Sequence, residues 1–378
     1  MVVGRVLRSP HAHARIKAIH TGRALALPGV FAIVTAADFP ELPSEFVPSG
    51  EALVNFRYVS MNAMARDKTL YEGHAVAAVA AINAEVAAKA VDPTRVDYQI
   101  LLHVIDVREA MSPNAPLLYE DMLTSALESP TRVPSNISSR SEFSVGDITT
   151  GFAAADVTIE REYTTEAVHQ GYRVISNPTP AWSALHPTGG ITIWSSSQGH
   201  FMVREFCAKL LKIDLNKIHV IPAEIDSGFG GKTTVYLEPL AIVLSRKAGR
   251  PVKMVMSRPE VFRASGPTSG AHLRVKLGAT RDGKLTAAEL TFAYQAGAFS
   301  GVSVKSGCMV GFAPYDIAHA RAVGYDVVSN RPKATAYRAP GAPMAGFAIE
   351  SAMVELALAL NMDPLDLRLK NAVREGTH

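Results

Sequence analysis

The tightest constraint on this chain is a turn, Ser227-Gly228-Phe229-Gly230-Gly231-Lys232-Thr233, which follows the apolar run Ile218-His219-Val220-Ile221. Glycine lacks Cβ and accepts positive φ, so three glycines around one aromatic let bare backbone approach a ligand closely. Successive N–H groups in such a turn form a concave nest for anionic oxygens. A strand delivered into an amide-rich, aromatic-capped loop points to a bound cofactor or phosphate. The plain alternative is a tight turn packed on a neighbouring strand.

Two nucleotide signatures come close and fail. Gly231-Lys232-Thr233 matches the tail of a P-loop, but Asp226 stands at its first glycine, where a carboxylate would oppose phosphates. Gly228 and Gly230 match two positions of the dinucleotide fingerprint, whose third glycine is replaced by Thr233. A P-loop nucleotide-binding protein stays open as the lesser alternative.

The 378 residues suggest two or three domains. A hydrophobic share of 48% supplies ample core material, and a net charge of +3 without basic clusters gives no footprint for nucleic acid. Two cysteines, Cys207 and Cys308, fit a reducing compartment and a cytoplasmic location, and they exclude a self-contained four-cysteine iron–sulfur cluster. Cys207 reads as a small buried apolar residue. No run of eighteen apolar residues occurs, so no membrane span is expected. The first residues read directly as a strand, and the last helix stops abruptly, so both ends look cut from something longer.

Along the chain, residues 1–107 alternate strand and helix signals: strand Val30–Val34, apolar run Ala75–Ala81, an Asn83-capped helix Ala84–Val91, and strand Arg95–Tyr98. Residues 108–150, with Pro113, Pro116, Pro130, Pro134 and the stretch Ser135–Ser144, read as an extended linker. Asp147–Phe152 reads as a helical turn before strand Val157–Tyr163. Residues 151–378 form a larger mixed region. It contains strand Ile191–Ser195, helix Phe201–Leu211, helix Glu238–Lys247, strand Pro251–Met256 and a hairpin turned at Asp282-Gly283. Helix Phe347–Leu360 follows, and then a helix restarted by Asp363-Pro364. The fold class expected is α+β, a mixed α/β chain.

Three segments converge on one family. Ser195-Ser196-Ser197-Gln198 ends a strand, Asp226–Lys232 ends the next, and Thr335-Ala336-Tyr337-Arg338-Ala339-Pro340-Gly341 precedes a helix carrying Glu350. This order resembles the molybdenum hydroxylases, the xanthine dehydrogenase/aldehyde oxidase family. Glu350–Asn371, closing on Asp363-Pro364-Leu365-Asp366-Leu367-Arg368-Leu369-Lys370-Asn371, is similar to the helix after that family's arginine loop. Ser9-Pro10-His11-Ala12-His13-Ala14-Arg15-Ile16 and Pro28-Gly29-Val30 resemble its hammerhead domain. The likeness covers essentially the whole chain.

The resemblance implies a hammerhead α/β domain (1–107), a linker (108–150) and the first molybdopterin-binding domain (151–378). It implies a molybdopterin cofactor with molybdenum, in the cytosine dinucleotide form, and attack by a metal-activated hydroxide on an electrophilic carbon of an aldehyde or aromatic N-heterocycle. Electrons leave through [2Fe–2S] and FAD, which the cysteine count places on partner subunits. Gln198 matches a glutamine that hydrogen-bonds near an oxygen ligand of the metal. Gly228, Phe229, Gly230 and Gly231 match the loop that approaches the metal through backbone. Arg338, followed by Ala339, matches the arginine beside metal and pterin. Glutamine donates without adding charge, backbone N–H groups stabilise developing negative charge, and arginine keeps a permanent positive charge.

Several positions depart from the family pattern. Asp226 and Ser227 replace two glycines. Thr233 stands where purine-oxidising members carry a glutamate, and Ser300 where they carry an arginine, which argues against xanthine. Ala339 replaces the cysteine of the carbon monoxide dehydrogenase branch, so a copper-bridged site is not expected. Arg173-Val174-Ile175-Ser176-Asn177-Pro178 replaces an expected Glu-Pro after Tyr172. The catalytic glutamate base belongs to a second half of the family's large subunit, and nothing here matches it. Either that half is a separate polypeptide, or the chain is a truncated or degenerate paralogue.

Other residues carry plainer readings. His11 and His13 share a strand face but lack a third ligand, so they read as structural. His169 and His200 read as packed histidines more readily than as substrate contacts, Glu350 as a capped or pterin-facing carboxylate, and Lys232 as a surface lysine by default.

Overall fold

A computed structural model describes residues 1–49, 52–127, 129–172, 181–185 and 189–376. They form two compact units, each assembled from separate stretches: residues 1–103, 169–267 and 330–337 in the first, and 104–168, 268–329 and 338–378 in the second. These units do not follow the division at 107 and 151 expected from sequence.

The first unit is built on a seven-stranded mixed sheet, in the order Ile218–Pro222, Ile191–Ser195, Ala181–Leu185, Val252–Met254, Val2–Arg8, Ala75–Ala81, Val30–Val34. The strand Ala75–Ala81, Ala-Val-Ala-Ala-Val-Ala-Ala, is buried at every position. Its small side chains alternate between two cores: Ala78 and Ala80 face one, Ala77 and Val79 the other. Val2–Arg8 pairs antiparallel with Ala75–Ala81 and parallel with Val252–Met254, so a strand of the hammerhead-like segment lies inside the same sheet as the strands around the glycine loop. Helix Glu238–Ala248 buries Leu240, Ala241, Ile242 and Leu244 against this sheet and stops at Gly249, whose φ of +61° closes the helix in the left-handed region. A small sheet of Lys68–Thr69, Ala14–His20 and Arg95–Ile100 and a pair of strands, Phe46–Ser49 and Ala52–Asn55, also belong to the unit.

A five-stranded sheet carries the second unit, in the order Val157–Thr165, Ala271–Ala279, Leu285–Gly297, Ala320–Val328, Ile137–Val145. The Ser-rich stretch expected as linker therefore contains a nine-residue edge strand, Ile137–Val145, paired antiparallel with Ala320–Val328. The expected hairpin turns at Asp282-Gly283. Helix Ala342–Ala359 is long and apolar enough to cross a bilayer by length and mean hydropathy, although Glu350 and Glu355 interrupt its apolar run. Its buried face (Ala345, Ala348, Ile349, Ala352, Met353, Leu356) packs on Leu273, Val275, Leu290 and Phe292, as a core helix does. Asp363 caps the last helix, accepting from the N–H groups of Leu365 at 2.7 Å and Asp366 at 3.3 Å. Fully buried Asn371 ties that helix to the hairpin, donating to Gly283 O at 2.7 Å and accepting from Leu285 N–H at 2.8 Å.

Candidate active site

Strands Ile191–Ser195 and Ile218–Pro222 run parallel, with Ser195 opposite Pro222, so both chains leave the sheet at one edge. Ligands of open α/β sheets bind outside such carboxyl ends. Three consecutive serines then secure the loop that follows. Ser195 Oγ donates to Glu238 Oε1 at 2.7 Å, while Glu238 Oε2 accepts the Tyr236 N–H at 2.9 Å. Ser196 Oγ donates to Ile225 O at 3.4 Å, and Ser197 Oγ to Lys232 O at 3.3 Å. Glu238 is buried in the first turn of its helix, where the backbone N–H groups favour a carboxylate.

The loop has unusual backbone. Asp226, Ser227 and Phe229 have φ of +43°, +71° and +51°, and Gly230 has +101°. Such angles cost non-glycine residues free energy, so the surroundings must hold them. Gln198 is one such restraint. Its side-chain Oε1 accepts from the N–H of Gly230 at 2.9 Å and of Lys232 at 3.2 Å. The Gln198 N–H donates to Lys232 O at 3.0 Å. With the carbonyl end committed to two donors, the network fixes the amide orientation. Gln198 Nε2 then has no acceptor among the described residues, and Gln198 is exposed.

The N–H of Gly231 donates to Gly228 O at 2.7 Å. Among the described residues, the Gly228 and Phe229 N–H groups therefore remain as the loop's uncommitted glycine-segment donors, while those of Gly230 and Gly231 are used internally. Each glycine has its own steric reason. A Cβ on Gly228 would lie 2.4 Å from Gln198 Oε1, and one on Gly230 would lie 2.8 Å from Ala336 O. Phe229 is half-exposed and stacks against Tyr337, with ring centroids 6.2 Å apart and planes 13° apart. The Thr335–Tyr337 strap is fixed in turn: Gln170 Nε2 donates to Thr335 Oγ1 at 3.0 Å and Ala336 O at 2.8 Å.

Lys232 is not on the surface. It is 4% exposed, and its Nζ donates to Ser196 Oγ at 3.2 Å and to Ile225 O at 2.5 Å. Burial pushes its pKa down. An ammonium committed to the loop's interior cannot act as a P-loop lysine on a phosphate, and the nucleotide reading falls with it. Thr233 is exposed and donates to Gly230 O at 2.7 Å.

The histidines take their plainer readings. His169 accepts the Gly171 N–H on Nδ1 at 3.0 Å and pairs Nε2 with Ser265 Oγ at 2.9 Å. Burial, helped by the Arg258 charge, lowers its pKa to about 4. His11 packs edge-on against Tyr98 and His13 Nδ1 meets Leu102 O at 2.7 Å, and no metal-binding cluster occurs among the described residues. His200 starts the helix His200–Leu211, and its Nε2 is buried without a partner among the described residues. The altered segment 173–178 lies outside the described residues.

In the second unit, Arg338 and Ala339 are exposed, and Ala339 has φ of +60°. Gly341, with φ of +89°, accepts from Tyr294 Oη at 2.6 Å and leads into helix Ala342–Ala359. Glu350 is capped, accepting from Tyr315 Oη at 2.5 Å and Arg368 Nε at 2.7 Å. Ser300 is buried, with Oγ unpartnered among the described residues. Buried Asp326, which no local signal marks, organises the next two residues by accepting the N–H of Gly301 at 2.7 Å and Val302 at 3.2 Å.

Comparison with known proteins identifies the family of the two domains. Residues 130–372 match the family model of the molybdopterin cofactor-binding domain, and residues 1–101 that of the aldehyde oxidase and xanthine dehydrogenase a/b hammerhead domain. The chain belongs to the xanthine dehydrogenase/aldehyde oxidase family. It is 34% identical, over 99% of its own length and 46% of the relative's, to the carbon monoxide dehydrogenase large chain of Afipia carboxidovorans. Against the nicotinate dehydrogenase large molybdopterin subunit of Eubacterium barkeri it is 28% identical, over 100% of its length and 83% of that subunit. The structure of reconstituted CO dehydrogenase from Oligotropha carboxidovorans superposes with a TM-score of 0.85 at 32% identity, covering 99% of this chain and 47% of that one. The chain spans 41 to 48% of the length of the first curated relatives it matches.

The loop suits the family's cofactor. An oxygen-rich anionic group needs donors that add no competing negative charge. Gln198 Nε2 supplies one with no protein acceptor, and the Gly228 and Phe229 N–H groups supply two more.

Proposed function

We propose that the chain is the molybdopterin-binding part of an oxidoreductase that hydroxylates an aldehyde or an aromatic N-heterocycle with oxygen from water. The overall change is R–H + H2O → R–OH + 2 H+ + 2 electrons. The bound cofactor supplies the redox centre that takes up the electron pair. The residues of this chain hold and orient that centre. Gln198 donates through Nε2 because its Oε1 is held by the Gly230 and Lys232 N–H groups, and this is the observation that carries the proposal. Gly228 and Phe229 direct backbone N–H groups at developing negative charge without needing to reorganise. Gly230 and Gly231 shape the loop, and Arg338 and Ala339 are assigned to the cofactor on the sequence pattern alone.

Substrate selection follows from absent charges. Thr233 and Ser300 supply neither the carboxylate nor the guanidinium of purine-oxidising relatives, which disfavours xanthine. Ala339 offers no thiolate for copper. The proton-accepting glutamate is assigned to the second half of the molybdopterin subunit, carried on another stretch of polypeptide. The span of 83% against the nicotinate dehydrogenase subunit supports a division of this kind. The cytosine dinucleotide form of molybdopterin, separate iron–sulfur and FAD subunits and a cytoplasmic location complete the proposal.

The test is to purify the chain from its native cells with whatever accompanies it, quantify molybdenum and iron per copy, and identify the co-purifying polypeptides by mass spectrometry. Near-stoichiometric molybdenum with a second large-subunit half and an iron–sulfur partner is the expected result. A lone chain devoid of molybdenum would overturn the proposal in favour of a degenerate paralogue.

A further inference from the structure

We propose that Lys232 is the positioning residue of the Asp226–Lys232 loop, its buried ammonium clamping the loop's entrance to the end of the neighbouring strand Ile191–Ser195. In doing so it sets where Gln198 Nε2 and the Gly228 and Phe229 N–H groups are presented.

The contacts of this one residue converge from both sides of the loop. Its Nζ holds Ser196 Oγ and the carbonyl of Ile225, the residue just before the left-handed pair Asp226–Ser227. Its own N–H donates to Gln198 Oε1 at 3.2 Å, and its carbonyl accepts from Gln198 N–H at 3.0 Å and Ser197 Oγ at 3.3 Å. Lys232 is thus joined to three consecutive residues at one strand end and to Ile225, immediately upstream of its own loop.

This arrangement is costly. The ammonium is nearly fully buried, and no carboxylate pairs with it among the described residues. It is further supported by the Tyr172 ring, whose centroid lies 5.2 Å from Nζ, and by the charges of Asp226 and Glu238, which favour the ammonium without forming an ion pair with it. A buried charge held mainly by neutral acceptors disfavours folding unless the geometry is tightly satisfied. The loop carries a second cost at the same place, since Asp226 and Ser227 sit in conformations that L-residues avoid. Strained backbone persists where surrounding contacts over-determine it. The bond from Nζ to Ile225 O lies immediately upstream of that strain, where it fixes the direction in which the chain enters the turn.

The consequence is separable from simple stability. Losing the clamp should release the loop while leaving the sheet intact, because the strands pair through their own backbones. It should also alter the surroundings of the bound metal, a second expectation that rests on the function proposed above.

The experiment compares wild type, Lys232→Met and Ser196→Ala, each purified with its native accompanying polypeptides. Met keeps the length and apolar stem of Lys and removes the ammonium. Hydrogen exchange is followed by mass spectrometry in peptides covering 225–232 and, as a control, the Val2–Arg8 strand. Loop exchange should rise about tenfold in Lys232→Met with the control unchanged, and to a smaller extent in Ser196→Ala, which keeps the ammonium on Ile225. Molybdenum content should fall, and the electron paramagnetic resonance line shape of the remaining metal should change. A merely destabilised protein would lose signal intensity but keep the line shape. Wild-type loop exchange in Lys232→Met, or faster exchange in loop and control strand together, would overturn the proposal. Should Lys232→Met not fold, Ser196→Ala decides alone, with unchanged loop exchange counting against the clamp. Molybdenum absent from wild type would refute the function while leaving the exchange result to judge the clamp.

Discussion

Replacing Gly228 by alanine should cost stability only while Gln198 is present. The new Cβ would sit 2.4 Å from Gln198 Oε1 and 2.7 Å from its Cδ, too close for either atom. The side chain must swing away, and both bonds to Oε1, from Gly230 and Lys232, are lost. Each is worth about 1 kcal/mol net, so Gly228→Ala should destabilise by about 2 kcal/mol. Gln198→Ala removes the same two bonds and should cost a similar amount. In the double variant the collision is gone, so the total should stay near 2 kcal/mol rather than rising to about 4 kcal/mol. Urea unfolding followed by tryptophan fluorescence suits the measurement, because Trp194 lies in the strand that leads into Ser195–Gln198. Additive costs in the double variant would show that the glutamine does not occupy the space in front of Gly228, and the account of the outward-facing amide would fail.

Two further outcomes follow from the same structure. Asp226→Gly and Ser227→Gly should each stabilise the loop by about 0.5–1 kcal/mol, because both residues hold positive φ; a loss of stability in either would show that their side chains contribute more than the strain costs. His74 is fully buried, with Nε2 on Met61 O at 2.7 Å, and burial lowers its pKa from 6.5 to about 4, with the Arg8 charge acting in the same direction. The unfolded chain takes up that proton first, so the contribution of neutral His74 is complete above pH 6.5 and is lost as pH falls toward 4. About 3 kcal/mol of stability should disappear across that window in wild type and not in His74→Phe, read from the difference between their unfolding midpoints; parallel pH profiles would refute it.

The sequence signals that held were local ones. Three glycines and an aromatic mark a turn whatever surrounds them, and Asp363-Pro364 marks a helix start through its own N–H groups. The Asp282-Gly283 hairpin is equally self-contained. The readings that failed concern residues whose partners lie far along the chain. Lys232 looks like a surface lysine because nothing beside it announces Ser196 as an acceptor. Ile137–Val145 looks like linker because its serines become a strand only against Ala320–Val328. Glu238 and Asp326 are buried carboxylates that accept from backbone N–H groups and, for Glu238, a hydroxyl, an environment that no motif encodes. The pairing of Val2–Arg8 with Val252–Met254 is likewise long-range and carries no local signal.

That last pairing bears on how the chain is made. On a ribosome adding about 5–20 residues per second, the partner of Val2 at Val252 is synthesised roughly 12–50 s after it. The strands Val30–Val34 and Ala75–Ala81 emerge early and can close one side of Val2–Arg8. Its other edge then waits for Val252–Met254 with open N–H and carbonyl groups beside an apolar surface, the kind of edge that recruits other chains. The nascent protein thus passes through an interval in which a strand that ends inside the sheet offers an open edge to other chains. The length of that interval is set by translation speed rather than by the stability of the finished fold.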